Sequence, residues 1–226
     1  MPADPPAVPE SAGGGRTGRY IVLEGGEGVG KSTQVRRLAD RLAAGGVPCT
    51  VVREPGGDAF AEAGRRLLLG DLPRTPQAEV LAFNALRAQL LVAHVRPALA
   101  SGTWVLADRG RLSTLAYQGH GHGVDLDWVR AACRLTTDLC PPDLEVVLAV
   151  DEATALARRE TRGTTDRFER LDAAFHRRVA AGYAAEARAL AVPVVDGVAT
   201  EEDVTAALWR LLVPLLPPGE DPVAGR

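Results

Sequence analysis

Lysine is almost absent from this chain of 226 residues. Of its 26 basic residues, 25 are arginines and one, Lys31, is a lysine, and asparagine likewise occurs once, at position 84. A GC-rich genome favours arginine codons over those of lysine and asparagine, which explains the composition as a whole. Because one lysine persists against that bias, its surroundings in the sequence are informative.

Cysteine, long apolar runs and excess charge are also scarce. Cys49, Cys133 and Cys140 show no CxxC spacing, which argues against a disulfide framework or a zinc site and favours reduced thiols. No apolar run reaches ~18 residues, the length that a membrane span needs. The net charge of −3 argues against a surface that binds nucleic acid. We therefore expect a cytoplasmic protein that has neither a membrane nor a nucleic acid as partner.

The two ends of the chain differ in composition from the rest. Residues 1–18 are rich in proline, glycine and alanine and lack a basic start, so they predict a disordered tail rather than a signal peptide. Residues 214–226 are similar and are expected to be flexible. The 46% hydrophobic content suits one globular domain, which we place at 19–213.

Apolar runs alternate with segments of helical periodicity, which predicts an α/β fold with a five-stranded parallel sheet and helices on both faces. In such sheets, ligands bind beyond the carboxyl ends of the strands, where this chain places mostly charged residues. The predicted strands are 20–24, 48–53, 103–107, 144–150 and 192–195. The predicted helices are 32–44, 59–69, 77–100, 112–117, 126–139, one that ends near 190, and 201–212.

Residues 25–32 form a complete GxxxxGK[ST] motif between the first strand and the first helix. Glycines let the backbone turn so that several N–H groups point at phosphate oxygens, and the N-terminus of the following helix attracts the same anion. The lysine adds a mobile charge for the β- and γ-phosphates, and the serine hydroxyl is a ligand for Mg²⁺. The motif predicts an ATP phosphate site that consists of Gly25, Gly26, Glu27, Gly28, Val29, Gly30, Lys31 and Ser32.

Other features narrow the class of nucleotide-binding protein. A GTPase switch recognises guanine with an NKxD tetrad, and neither Asn84 nor Lys31 lies in one, which excludes that class. A motor or transporter ATPase would have little room for its attached machinery. Asp108 and Asp151 both follow an apolar strand, so either could be the carboxylate near Mg²⁺. Asp108 is favoured because an arginine follows it, whereas none follows Asp151.

Four further segments, in order and at matching spacing, resemble the thymidylate kinase family, and the match runs from about Tyr20 to Leu212. They are the REPGG loop at 53–57, the nucleobase helix LAFNALRAQ at 81–89, the block DRGRLSTLAYQG at 108–119, and the arginine-bearing lid RRETRGTTDRFE at 158–169. The resemblance implies a P-loop NTPase fold with a short lid. It also implies transfer of the γ-phosphoryl group of ATP to dTMP, for dTTP synthesis.

The resemblance assigns a base and sugar site to two of these segments. Phe83 and Arg87 are four residues apart on one helical face, and they would stack on the base and donate to its carbonyl. Thr114 would bind the thymine edge. Tyr117 would lie under the deoxyribose, where a 2′-hydroxyl group would clash, and Gln118 lies beside it.

The acceptor phosphate and the 3′-hydroxyl group complete the expected dTMP site. Arg53 and Arg109 would hold the phosphate, because a planar guanidinium binds two phosphate oxygens at once. Glu27 would take the 3′-hydroxyl group, since an acid in a loop that binds polyanions is expected to point away from them. The full set is Glu27, Arg53, Phe83, Arg87, Arg109, Thr114, Tyr117 and Gln118.

Gly28 indicates the bacterial type of this family, in which a lid arginine rather than a loop arginine reaches the transferring phosphoryl group. We expect Arg162 to close over the γ-phosphate, with Arg167 in support. The expected catalytic residues are Lys31, Asp108, Arg109 and Arg162, and the expected Mg²⁺ ligands are Ser32 and Asp108.

One position departs from the family pattern, because Gly110 stands where Tyr or His usually follows Asp-Arg. The resemblance also implies a homodimer, for which the apolar surface of 77–100 is a candidate. Two alternatives stay open at this point. One is another nucleotide kinase of the same fold, and the other is a nucleotide-binding protein without catalytic activity.

Overall fold

The computed structural model describes residues 17–162 and 166–216, apart from the side chain of Arg162. Most of the expected tails, at 1–16 and 217–226, lie outside the described residues, and so does the centre of the expected lid at 163–165. Within the described residues, no helix combines the length and apolarity that crossing a bilayer requires.

The predicted parallel sheet is confirmed: its five strands pair in the order β2-β3-β1-β4-β5. All four strand pairings are parallel. The strand ends differ from those predicted by at most two residues. The strands are β1 Tyr20–Glu24, β2 Cys49–Arg53, β3 Trp104–Asp108, β4 Leu144–Ala149 and β5 Val194–Asp196.

Helices cover both faces of this sheet, as the buried side chains of β1 show. Ile21 and Leu23 pack in one core with α1 and α9, whereas Tyr20 and Val22 pack in another with the segments that follow α3. The helices are α1 Lys31–Ala44, α2 Ala59–Leu69, α3 Pro76–Leu90, α4 Arg96–Ala100, α5 Arg111–Thr114, α6 Leu126–Thr137, α7 Glu152–Arg162, α8 Ala173–Ala189 and α9 Glu201–Leu212.

The single helix predicted over 77–100 is wrong in one respect, because a π-helical turn at Leu91–Val95 separates α3 from α4. Pro97 explains the interruption: its ring clashes with the carbonyl four residues back and offers no N–H, so the α-helical ladder cannot run through it. The helix predicted over 112–117 likewise changes, after α5, into a π-helical segment at Leu115–Gly121.

The strand register brings the charged strand ends to one edge of the sheet. Asp108 pairs with Leu23 of β1 on one side and with Arg53 of β2 on the other. Glu24 ends β1 one residue further on. The phosphate loop, which leaves β1 here, therefore opens beside three charged side chains from separate strands.

Candidate active site

A cleft of ≈ 630 Å³ opens beyond this edge of the sheet. Its lining includes Lys31 and Ser32 of the phosphate loop, the ends of β2 and β3, one side of α3, and Asp166, Phe168 and Glu169 of the expected lid. All eight side chains expected to bind dTMP line this one cleft, although the chain positions span 27 to 118: Glu27, Arg53, Phe83, Arg87, Arg109, Thr114, Tyr117 and Gln118.

The phosphate loop holds its lysine close to its own backbone. Lys31 is buried, and its Nζ donates to the carbonyl oxygen of Gly26 at 2.7 Å. Burial, aided by the positive charge of Arg109, lowers the pKa of Lys31 to about 8. Gly30, at φ 97°, precedes α1 and has no side chain to cap it. The open helix end and the lysine together suit a polyphosphate.

Two oxygen ligands suited to Mg²⁺ meet at the mouth of the loop. The hydroxyl group of Ser32 donates to Oδ2 of Asp108 at 2.5 Å. Mg²⁺ prefers one or two protein oxygens together with phosphate and water, so this pair fits it. The rival Asp151 instead accepts hydrogen bonds from the N–H and hydroxyl of Thr154, as a cap of α7. Across the described ranges, the structure groups no three His, Cys, Asp or Glu side chains for a metal.

Arg109 connects the phosphate loop to the acceptor side of the cleft. It follows β3 with φ 81°, a left-handed conformation that is strained for a residue with a side chain. Its guanidinium forms an ion pair with Glu27 and donates to the carbonyl oxygen of Gly25 at 3.2 Å. The hydroxyl group of Tyr117 donates to the same Glu27 oxygen at 3.2 Å. Glu27 thus points away from the loop interior, toward the expected sugar site.

Arg87 lies at the bottom of the part of the cleft that is expected to bind the nucleobase, called the base side below. It is buried on α3, and it donates to Glu54 at 2.7 Å, to the side chain of Asn84 at 2.9 Å and to Thr114 at 3.0 Å. Phe83 lies one turn before Arg87, and its ring centroid is 6.1 Å from that of Phe168. A flat ring therefore stands beside a fixed guanidinium, as stacking and hydrogen bonding to a base require.

Tyr117 is held by an aromatic cluster. Its ring meets the ring of Phe168 edge-on at 5.7 Å and that of Tyr183 at 6.4 Å, and burial raises the pKa of its hydroxyl group. Gln118, its neighbour, donates to Glu79 at 3.2 Å within the core. The hydroxyl group of Tyr117 thus stays protonated as a donor, and its ring forms a rigid wall of the cleft.

The arginines expected to bind phosphates take different positions. Arg53 is half exposed at the rim and donates to both carboxylate oxygens of Glu62, at 3.0 and 3.2 Å. Arg167 forms an ion pair with the buried Glu79, so in this conformation it faces the core rather than the phosphate loop. The side chain of Arg162, at the end of α7, lies outside the described residues.

A buried polar cluster behind Arg109 was not predicted. Ser113 donates to Glu24 at 2.7 Å, and its hydroxyl oxygen lies 2.8 Å from that of Tyr183, which in turn lies 3.3 Å from Nη1 of Arg109. Burial raises the pKa of Glu24. Glu24 could have been predicted as a site residue from its position at a strand end. Tyr183 could not, because it belongs to α8 and to none of the quoted motifs.

Two glycines show why their positions lack side chains. A Cβ on Gly28 would lie 2.6 Å from the carbonyl oxygen of Ala155, because the backbone of α7 crosses the loop there. Gly28 also has φ 77°, which favours glycine. A Cβ on Gly110 would lie 2.8 Å from Cγ1 of Val22, and its carbonyl oxygen accepts a hydrogen bond from Arg87. Glycine at position 110, which departs from the family pattern, therefore leaves room for Val22 and presents its carbonyl oxygen to Arg87 on the base side of the cleft.

The fold and the cleft together define a phosphotransferase of the P-loop NTPase class. The family profile described as Thymidylate kinase matches residues 23–208. The chain belongs to the thymidylate kinase family.

Similar proteins cover most of the chain. A thymidylate kinase of Synechococcus sp. (strain JA-2-3B'a(2-13)) is 42% identical over 200 residues, which cover 88% of this chain and 96% of that protein. One of Deinococcus radiodurans is 42% identical over 195 residues, covering 85% and 95%. One of Chromohalobacter salexigens is 47% identical over 174 residues, covering 75% and 82%. These relatives support the resemblance found in the motifs.

Proposed function

We propose that this chain transfers the γ-phosphoryl group of ATP to dTMP, giving ADP and dTDP. The contacts of Arg109 carry this proposal. A single guanidinium touches the backbone of the phosphate loop at Gly25 and the expected sugar ligand Glu27, so donor and acceptor subsites meet at one side chain. Phosphoryl transfer needs little more from a protein than this placement together with charge neutralisation.

Different side chains bind the phosphates of the donor ATP and the phosphate of the acceptor dTMP. Burial lowers the pKa of Lys31 to about 8, so its ammonium group stays mostly charged near neutral pH and neutralises the incoming polyphosphate. Arg109 and Arg53 hold the acceptor phosphate, one fixed behind the loop and the other at the rim. Bound Mg²⁺, held by Ser32 and Asp108, would supply charge neutralisation between the phosphate oxygens. Arg162 would reach over the donor from the end of α7.

The base and sugar contacts support dTMP as the acceptor. Arg87 presents a donor for a base carbonyl, and Phe83 a face for stacking. Tyr117 is locked between other aromatic rings, so it cannot yield to a 2′-hydroxyl group at the sugar. The free thiols of Cys49 and Cys133 agree with a cytoplasmic enzyme that acts on these nucleotides.

Product analysis separates this proposal from a nucleotide-binding protein without activity. The enzyme is incubated with ATP, Mg²⁺ and dTMP, and the nucleotides are resolved by ion-exchange chromatography. We expect equal amounts of ADP and dTDP, and neither above background with Lys31→Met. Bound ATP without dTDP would contradict the proposal.

We further propose a homodimer, formed through α2, α3 and α6, which pack side by side. Each of these helices exposes large apolar side chains: Phe60 and Leu67 on α2, Leu81 on α3, and Trp128 and Leu135 on α6. Exposed apolar side chains on adjacent helices are typical of an interface. Within the segment 77–100 that was expected to form this face, Val80 and Leu90 are instead buried in the core.

A further inference from the structure

Tyr183 on α8 is a buried tyrosine that lies behind the cleft. It is 3% exposed, and it is not among the described residues that line the cleft. Its ring packs edge-on against that of Tyr117, with the ring centroids 6.4 Å apart, a contact that phenylalanine would make equally well. Burying a hydroxyl group costs free energy unless it is hydrogen-bonded. The partners of the Tyr183 hydroxyl group therefore indicate why this position carries tyrosine.

The hydroxyl groups of Tyr183 and Ser113 connect Arg109 to Glu24. Ser113 donates to Oε2 of Glu24 at 2.7 Å, so its single hydroxyl proton is used there. Across the 2.8 Å between the two hydroxyl oxygens, Tyr183 is therefore the donor and Ser113 the acceptor. Donation from Tyr183 to Glu24 would span 3.5 Å, which is the longer contact. The oxygen of Tyr183 accepts an N–H of Arg109 at 3.3 Å, because a guanidinium can only donate.

This chain of hydrogen bonds ends on an arginine whose backbone is strained. Arg109 has φ 81°, and its Nη1 also donates to the carbonyl oxygen of Gly25 and to the hydroxyl oxygen of Ser113, each at 3.2 Å. Burial raises the pKa of the Tyr183 hydroxyl group, so this group keeps its proton. Hydrogen bonds that run in one direction polarise one another. The carboxylate of Glu24 therefore acts on the guanidinium through the two hydroxyl groups.

We propose that Tyr183 is a positioning residue that orients the guanidinium of Arg109 for the acceptor phosphate, with Ser113 and Glu24 behind it. This inference rests on the proposed function, in which Arg109 binds the phosphate group of dTMP. Because Tyr183 does not reach the cleft, its hydroxyl group acts on the nucleotide through Arg109. Its loss should weaken the contact with the phosphate group and spare those with the base and the sugar.

The test compares the binding of dTMP with that of thymidine, which has the same base and sugar but no phosphate group. Tyr183→Phe keeps the ring beside Tyr117 and removes only the hydroxyl group. By calorimetry, we expect the Kd for dTMP to rise about tenfold, as for the loss of a hydrogen bond to a charged group, and the Kd for thymidine to stay unchanged. Glu24→Gln, which keeps one oxygen for Ser113 but removes the charge, should raise the Kd for dTMP relative to thymidine as well.

Tyr20→Phe is the matched control, since Tyr20 is equally buried, at 3% exposed, but belongs to β1 and does not line the cleft within the described residues. It should leave the ratio of the two Kd values unchanged. Equal weakening of dTMP and thymidine in Tyr183→Phe would indicate a merely structural role and overturn the proposal, and so would unchanged binding of both. If Tyr183→Phe does not fold, Glu24→Gln decides by the same criteria. Absence of dTMP turnover in the unaltered enzyme would instead refute the proposed function.

Discussion

At the scale of single residues, Lys31 shows why one lysine persists in a chain of arginines. Its ammonium group is buried against the carbonyl oxygen of Gly26. A compact charge on a flexible stem can follow a moving phosphoryl group, whereas a rigid fork cannot.

Lys31→Arg should therefore lower kcat by about 100-fold or more, because a misplaced charge no longer stabilises the transition state. A coupled assay of ADP release measures this. Arg66→Lys, on the exposed side of α2, is the control and should retain activity. If Lys31→Arg retains most of kcat, the charge alone matters and the geometric explanation fails.

Tyr117 carries the discrimination against ribose. Tyr117→Ala should raise kcat/KM for UMP relative to dUMP by at least about tenfold, because the rigid ring is gone from the sugar site. Tyr117→Phe keeps the ring and loses only the hydrogen bond to Glu27, so it should keep the discrimination. If Tyr117→Ala discriminates between dUMP and UMP as strongly as the unaltered enzyme does, Tyr117 does not form part of the sugar site.

At the scale of elements, α7 is placed to control the donor. Its backbone at Ala155 lies against Gly28 of the phosphate loop, and Arg158 donates to the carbonyl oxygen of Gly197 at 3.0 Å. α7 therefore starts next to the phosphate loop and carries Arg162 at its end.

Arg162→Ala should lower kcat by about 100-fold, since one donor to the transferring group is lost, while dTMP binding stays unchanged. Stopped-flow turnover and calorimetric binding of dTMP separate the two effects. Arg159→Ala, on the same helix, is the control. Unchanged kcat in Arg162→Ala would move the role to Arg167, which would then have to leave Glu79.

Regular elements were predictable from periodicity, and the site residues from motifs at strand ends. Asp108 and Arg109 combine both signals, and the sheet register brings them to the loop as expected. The π-helical turns were not predictable, because periodicity does not encode a shift in hydrogen-bond register. The helix α7 was not predicted because its second half falls in the charged segment from 158 onward, which was assigned to the lid. The contact of Tyr183 with Ser113 was missed because it joins distant positions.

At the scale of the whole molecule, the apolar faces of α2, α3 and α6 predict self-association. Leu81→Arg should convert a dimer into a monomer, because it buries a charge in the centre of the interface. Light scattering after size-exclusion chromatography measures the mass. Leu190→Arg, at an exposed leucine beyond α8, should leave the dimer intact. A monomeric unaltered protein would contradict the proposed interface.

The acceptor preference tests the central claim most directly. Coupled ADP release with dTMP, dUMP, UMP, CMP and AMP gives kcat/KM for each acceptor under the same conditions. The cleft predicts the highest value for dTMP, a lower one for dUMP, a still lower one for UMP because of Tyr117, and the lowest for CMP and AMP, which carry both ribose and the wrong base. A higher kcat/KM for CMP or AMP than for dTMP would contradict the account.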